Sequence, residues 1–144
     1  MSLNKERNPP YQLYFSHTWH HDGASADIRA LLGGQSGFRF VGALASGEDP
    51  LCAPGREREL YESIRRKMKH CHAVLLLCGV YPLYSKWINK EIIACKEEVN
   101  KPLIAVERFE PAMTSMIVRQ NADAIVGWNA ADIVKAVKDL VKIH

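Results

Sequence analysis

The sequence predicts an α/β fold: one five-stranded parallel sheet in the flavodoxin-like order 2-1-3-4-5, with helices on both faces to make three layers. Three observations predict it. Strand-like and helix-like segments alternate along the whole chain. The run Ala73-Val74-Leu75-Leu76-Leu77 is unbroken and apolar, as a central strand buried on both faces requires. The chain has 144 residues, 47% hydrophobic and 24% charged, which suits one domain with one core.

The elements follow in order. Residues 1–10 read as a polar extension, and 11–144 as a single domain. Tyr11 to Ser16, after Pro9-Pro10, is rich in aromatic and aliphatic residues and reads as the first strand. Ala26 to Leu32 reads as a short helix stopped by Gly33-Gly34. Phe38 to Leu44 is the second strand, and Ala45 to Gly55, with its Gly, Pro and Asp, is a long loop. Arg56 to Lys69 is a charged helix in which Leu60, Ile64 and Met68 recur every fourth residue. His72 to Cys78 is the third strand, and a third helix runs from about Tyr84 to Val99. Leu103 to Val106 and Ala124 to Gly127 are the last two strands, with a less regular stretch between them. The final helix starts near Asn129, with Asp132 placed as in a capping box and an apolar face of Ile133, Val137, Leu140 and Val141.

Composition excludes several classes of function. A net charge of +3 is too mild to argue for nucleic-acid or membrane binding through bulk electrostatics. Arg56, Arg58, Arg65, Arg66, Lys67 and Lys69 make the second helix basic. Glu57, Glu59 and Glu62 offset them, so this reads as a solvated face. No stretch has the ~18 apolar residues of a membrane span. Met1 to Asn8 is polar with mixed charge, unlike a secretory signal, and the expected compartment is the reducing cytoplasm. Cys52, Cys71, Cys78 and Cys95 include no C-x-x-C pair, and Cys78 and Cys95 read as small buried hydrophobes.

In a sheet of this order, ligands bind beyond the carboxyl ends of the strands, between strands 1 and 3. The segments to read there are Ser16-His17-Thr18-Trp19-His20-His21-Asp22 and Gly79 to Glu91. The first is dense in hydrogen-bonding and aromatic groups. The second brings Tyr81, Tyr84, Ser85, Trp87 and Glu91 to the entry of a helix. At about 100° per residue, Ile88, Ile92, Cys95 and Val99 form an apolar arc, and Glu91 falls on its shoulder. A carboxylate there is partly desolvated and is a candidate for function, or else an edge carboxylate paired with a nearby Lys or Arg.

Other chemistries fit less well. A receiver domain needs an acidic pair after strand 1 and an Asp ending strand 3, where this chain has Ser16-His17 and Cys78-Gly79. The histidine-rich segment does not suit a flavin phosphate loop, and neither G-x-G-x-x-G nor G-x-x-x-x-G-K-[ST] occurs. His17, His20 and His21 are expected at the opposite end of the sheet from His70 and His72, so no shared metal is expected.

Tyr14-Phe15-Ser16-His17 resembles the start of a Toll/interleukin-1 receptor (TIR) domain, and Tyr84-Ser85-x-Trp87-x-x-x-Glu91 resembles the motif on the third helix of such domains. More closely, Tyr11 to His144 resembles the TIR-like family of the bacterial Thoeris antiphage system. That family joins these motifs to an Ala-Asp-x-Ile-Val-Gly-Trp-Asn segment, here Ala122 to Asn129. The resemblance implies cleavage of NAD between nicotinamide and ribose, with NAD as substrate and no further cofactor. It further implies cyclisation of the ADP-ribose product into a diffusible signal for a separate effector protein, with self-association of the TIR-like domain. By carry-over, Glu91 is catalytic. Ser16, His17 and Trp19 line the nucleotide site, and Tyr84, Ser85 and Trp87 shape its wall. Asp49 is carried as substrate-binding on a loop that departs from the Arg-Asp-x-x-Pro-Gly pattern of animal and plant TIR domains. That loop either closes over substrate or pairs with another subunit.

Two readings therefore stand: an NAD glycohydrolase or cyclase that depends on Glu91, and a non-catalytic interaction or nucleotide-binding module acting by assembly. The sheet and its helices use nearly all of the sequence, so either reading expects a unit that acts through a separate partner.

Overall fold

The computed structural model describes residues 9–44, 55 and 57–141. Five strands, β1 (Tyr11–Phe15), β2 (Phe40–Leu44), β3 (Ala73–Leu77), β4 (Leu103–Glu107) and β5 (Ala124–Gly127), form one parallel sheet in the order β2-β1-β3-β4-β5. The fold class is thus the expected one. Parallel neighbours need a crossover between them, and helices supply it. They are α1 (Ala24–Gly33), α2 (Glu57–Lys69), α3 (Tyr81–Ile93), α4 (Met116–Asn121) and α5 (Ala130–Leu140). The expected 45–55 loop falls almost wholly outside the described residues, as does Arg56.

Side chains alternate across a strand, so each strand feeds two cores. Leu13 and Phe15 of β1, with Ala73, Leu75 and Leu77 of β3, pack against α1 and α5 through Ile28, Leu32, Ile133 and Val137. Tyr14, Val74 and Leu76 face the other way, against Leu60, Ile64 and Met68 of α2 and Ile88 and Ile92 of α3. The four-residue spacing of the α2 apolar stripe places all three of its side chains in that second core.

Three local differences from the sequence reading bear on the site. The chain after β1 is a 3₁₀ segment, His17–Gly23, where a loop was expected. Ser16 caps it by accepting the Thr18 N–H at 3.2 Å. α3 begins at Tyr81, three residues early, with Pro82 in its first turn, where a missing N–H costs nothing. It kinks at Tyr84 (φ −122°, ψ 15°) and, beyond Ile93, widens into a π-helical turn, Ala94–Glu98. The irregular stretch after β4 holds a 3₁₀ turn, Pro111–Met113, and the short α4. Asn129 caps α5 as expected, its side chain accepting the Asp132 N–H at 3.0 Å. No helix among the described residues is long and apolar enough to cross a membrane.

Candidate functional site

Parallel strands end together at one edge of the sheet, and the chain leaves β1 and β3 there as neighbours. Ser16 continues the β1–β3 pairing for one more bond, its N–H donating to the Leu75 carbonyl at 3.0 Å. The Ser16 and Thr18 hydroxyls bond each other, and the Thr18 oxygen accepts the Leu77 N–H at 2.9 Å. These buried contacts pin the start of the 3₁₀ segment to β3. Ser16 is therefore a structural cap with its hydroxyl already engaged.

The pinned turn lays His17 over Glu91. The Glu91 carboxylate accepts from the Tyr14 hydroxyl at 2.9 Å and from the His17 backbone N–H at 3.0 and 3.3 Å. The His17 ring lies beside it, Nδ1 to Oε2 at 3.1 Å. With the carboxylate as acceptor, Nδ1 carries the hydrogen and donates. Glu91 is only 1% exposed, deeper than the shoulder of an apolar arc would put it. The helix alone leaves that shoulder half open, and the segment after β1 closes it. Burial, and then the Glu91 carboxylate, hold the Tyr14 phenol well above its ordinary pKa.

Trp87 completes the cover. Its indole stacks on the His17 ring at 4.5 Å and 19°. The Trp87 Nε1 and His17 Nε2 atoms are both buried without a hydrogen-bond partner among the described residues. Buried polar atoms are nearly always paired, and Ser115 Oγ is the third unpaired one among the described residues. Around the His17–Trp87 stack, the His21 ring meets Tyr84 edge-on at 6.2 Å and Phe109 at 6.3 Å. Gly79 makes room for Phe109: its φ is +88°, and a Cβ there would lie 2.8 Å from the ring.

Of the residues singled out by sequence, Ser16, His17, Trp87 and Glu91 form one constellation, and Tyr84 stands at its rim. Ser85 lies partly buried on α3 next to the Tyr84 kink. Asp49 lies outside the described residues. Trp19, expected to line the nucleotide site, is fully buried in the α1/α5 core. Its Nε1 donates to the Leu75 carbonyl at 3.0 Å, and its ring meets Phe15 edge-on. Three residues per 3₁₀ turn carry it away from the side His17 occupies.

Tyr14 is the partner that sequence reasoning missed. Strand alternation places it on the α3 side of a central strand, where a buried phenol needs an acceptor and Glu91 needs a donor. The Ala122–Asn129 motif turns out to be largely architectural. Asp123 accepts the Leu103 N–H at 2.8 Å and the Lys96 ammonium at 2.6 Å. Trp128 carries the Arg108 guanidinium 4.5 Å above its ring, and Arg108 pairs with Asp27 at 2.8 Å. His72 sits at the amino end of the sheet, its Nδ1 accepting the Gln12 N–H at 2.8 Å. Among the described residues, no three His, Cys, Asp or Glu side chains are grouped to hold a metal ion.

No curated protein matches the chain. The family model for the TIR-like domain of the Thoeris protein ThsB matches residues 14–110. That span runs from Tyr14 through β4, includes the whole Glu91 cluster, and covers more than half of the sequence. The chain accordingly belongs to the Thoeris ThsB TIR-like domain family, the signalling domains of an antiphage system.

Proposed function

We propose that this domain cleaves NAD at the bond between nicotinamide and ribose and closes the ADP-ribose product into a cyclic signal for a separate effector. The observation that carries the reading is a carboxylate, Glu91, held by Tyr14 and His17 beneath two stacked rings at the switch point of the sheet. Breaking a glycosidic bond to ribose builds positive charge on the sugar. Nicotinamide leaves as a neutral molecule, so no general acid is required. One fixed carboxylate in a dry site can hold the ribose hydroxyls and stabilise that charge. In the proposed mechanism His17 swings off Trp87 as substrate enters, which uncovers Glu91 and frees an indole face for the nicotinamide ring. The fold of the bound nucleotide then decides whether water or one of its own atoms attacks the ribose. The proposed setting is the cytoplasm, with activity rising as copies of the domain associate.

A second reading, an assembly module without turnover, draws on the same cluster. Glu91 is sealed at 1% exposure, and its bonds to Tyr14 and His17 tie α3 to the end of β1. One experiment separates the two. Concentrated protein is incubated with NAD, and the products are identified by mass spectrometry, beside Glu91→Gln. The catalytic reading expects nicotinamide from the native protein and a loss of about 10²–10³-fold in the variant, as for other single electrostatic groups. Equal turnover in both removes Glu91 from the mechanism. Absence of turnover in assembled protein and in phage-infected cells, with partner binding retained, gives the second reading.

A further inference from the structure

A concavity lies at the end of the sheet away from Glu91. It opens between the last turns of α2 and the chain leaving α3, and has a volume of about 460 Å³. Lys69 precedes β3 and Lys101 precedes β4, so the concavity lies toward the amino ends of the strands, opposite the edge where His17 covers Glu91. The π-helical turn after α3 supplies Glu98 to its wall, with Val99 following.

The charges in this cleft do not balance. Arg65 serves both carboxylates, with Nη2 at 2.5 Å from Glu62 and Nη1 at 3.6 Å from Glu98. Glu98 also accepts from the Tyr61 hydroxyl. Arg66, Lys69 and Lys101 line the same space and make no ion pair with any described residue. Val99 is the one apolar residue in the lining, and the aliphatic stems of the Arg and Lys side chains supply the rest of its apolar surface. The volume falls within the roughly 300–1,000 Å³ of small-molecule sites. Four cations against two carboxylates leave the cleft with a net charge of about +2, which selects a compact ligand with more than one negative charge. A single carboxylate would leave part of that positive charge unmatched.

We propose that this cleft binds an oligophosphate group, as free di- or triphosphate or as the phosphate tail of a nucleotide. The plain alternative is that Arg66 and Lys69 only offset the dipole at the carboxyl end of α2. Lys101 lies outside that helix and distinguishes the two.

The test is calorimetric titration of the whole chain with inorganic triphosphate, pyrophosphate and ATP at about 0.15 M salt, where the Debye length is about 8 Å. Arg66→Glu and Lys101→Glu are the site variants. Arg58→Glu changes the same charge on the same helix away from the cleft. Circular dichroism checks that each variant is folded. Saturable one-to-one binding is expected, weakened about tenfold or more by either site variant, the loss of one charged hydrogen bond. Arg58→Glu should weaken it less than about threefold, as a distant charge screened by salt does. Equal affinity for triphosphate and ATP identifies the phosphate group as what is recognised, and tighter ATP binding identifies a nucleotide as the source. The proposal is overturned by absence of saturable binding, by an equal loss in Arg58→Glu, or by full binding in Lys101→Glu.

Discussion

Leu13 and Phe15 point to one side of β1 and Tyr14 to the other, and the two sides are built for different ends. On the α1/α5 side the packed residues are apolar, and the one fully buried indole among them, Trp19, spends its N–H on the Leu75 carbonyl of β3. On the α2/α3 side the core contains the Tyr14–Glu91 pair and the thiols of Cys71, Cys78 and Cys95. One face therefore secures the sheet, while the other holds a titratable side chain out of water and depends on a few directed bonds. The comparison predicts that substitutions on the first side act through packing, and those on the second through single polar contacts.

The largest effect should come from Trp19→Ala. A fully buried indole packed between Phe15 and α1 should cost about 3–5 kcal/mol when truncated. Urea unfolding at neutral pH measures it. Trp19→Phe, which keeps a ring but loses the bond to Leu75, should retain more than half of that stability and leave nucleotide affinity unchanged. A Trp19→Ala protein of native stability with lost affinity would move Trp19 from the core to the wall of the site.

A smaller effect is expected across the sheet. Tyr14→Phe removes one of the donors to a buried carboxylate, at a cost of about 1–3 kcal/mol. The residues act as a unit, so Tyr14→Phe and Glu91→Ala together should cost less than the sum of the two alone. A double-mutant cycle read by urea midpoints checks this. Strict additivity would mean that the Tyr14–Glu91 bond carries no stability of its own.

Much of this arrangement can be read from the chain. The apolar run of β3, the α2 stripe and the alternation of segments are local signals, and they lead directly to the sheet order. Ala124–Gly127 and the Asn129 cap are likewise set by residues close in sequence. The site was legible as a location, because topology brings the ends of β1 and β3 together whatever follows them. Its interior was not. Glu91 is sealed by a residue 74 positions earlier, and no helical periodicity encodes that contact. The 3₁₀ segment was hidden for a similar reason. Its histidines and tryptophan are poor helix signals, and the bonds that hold it run to β3. The early start of α3 did leave a trace in Pro82, which favours a first helical turn.

The faces also separate by pH. Burial pushes the thiols of Cys71 and Cys78 up to about 11 and that of Cys95 to about 12, from an ordinary value of 9.0. All three lie in the α2/α3 core. A raised folded-state pKa gives stability that is complete below the unfolded value and is lost as pH climbs through the folded one. Unfolding free energy should therefore be flat from neutral pH to just below 9. Above that it should fall by up to about 1.4 kcal/mol per pH unit for each thiol that the unfolded chain ionises first. Urea titrations between pH 7 and 10.5, in reductant, give the slope. Cys95→Ala should make it shallower, because it removes a thiol whose bond to the Lys101 carbonyl, 3.2 Å long, exists only while the sulfur is protonated. Leu75→Ala, on the other side of the same sheet, should lower the whole curve and leave its slope as it was. A Cys95→Ala curve parallel to the native one would place the alkaline transition outside this core.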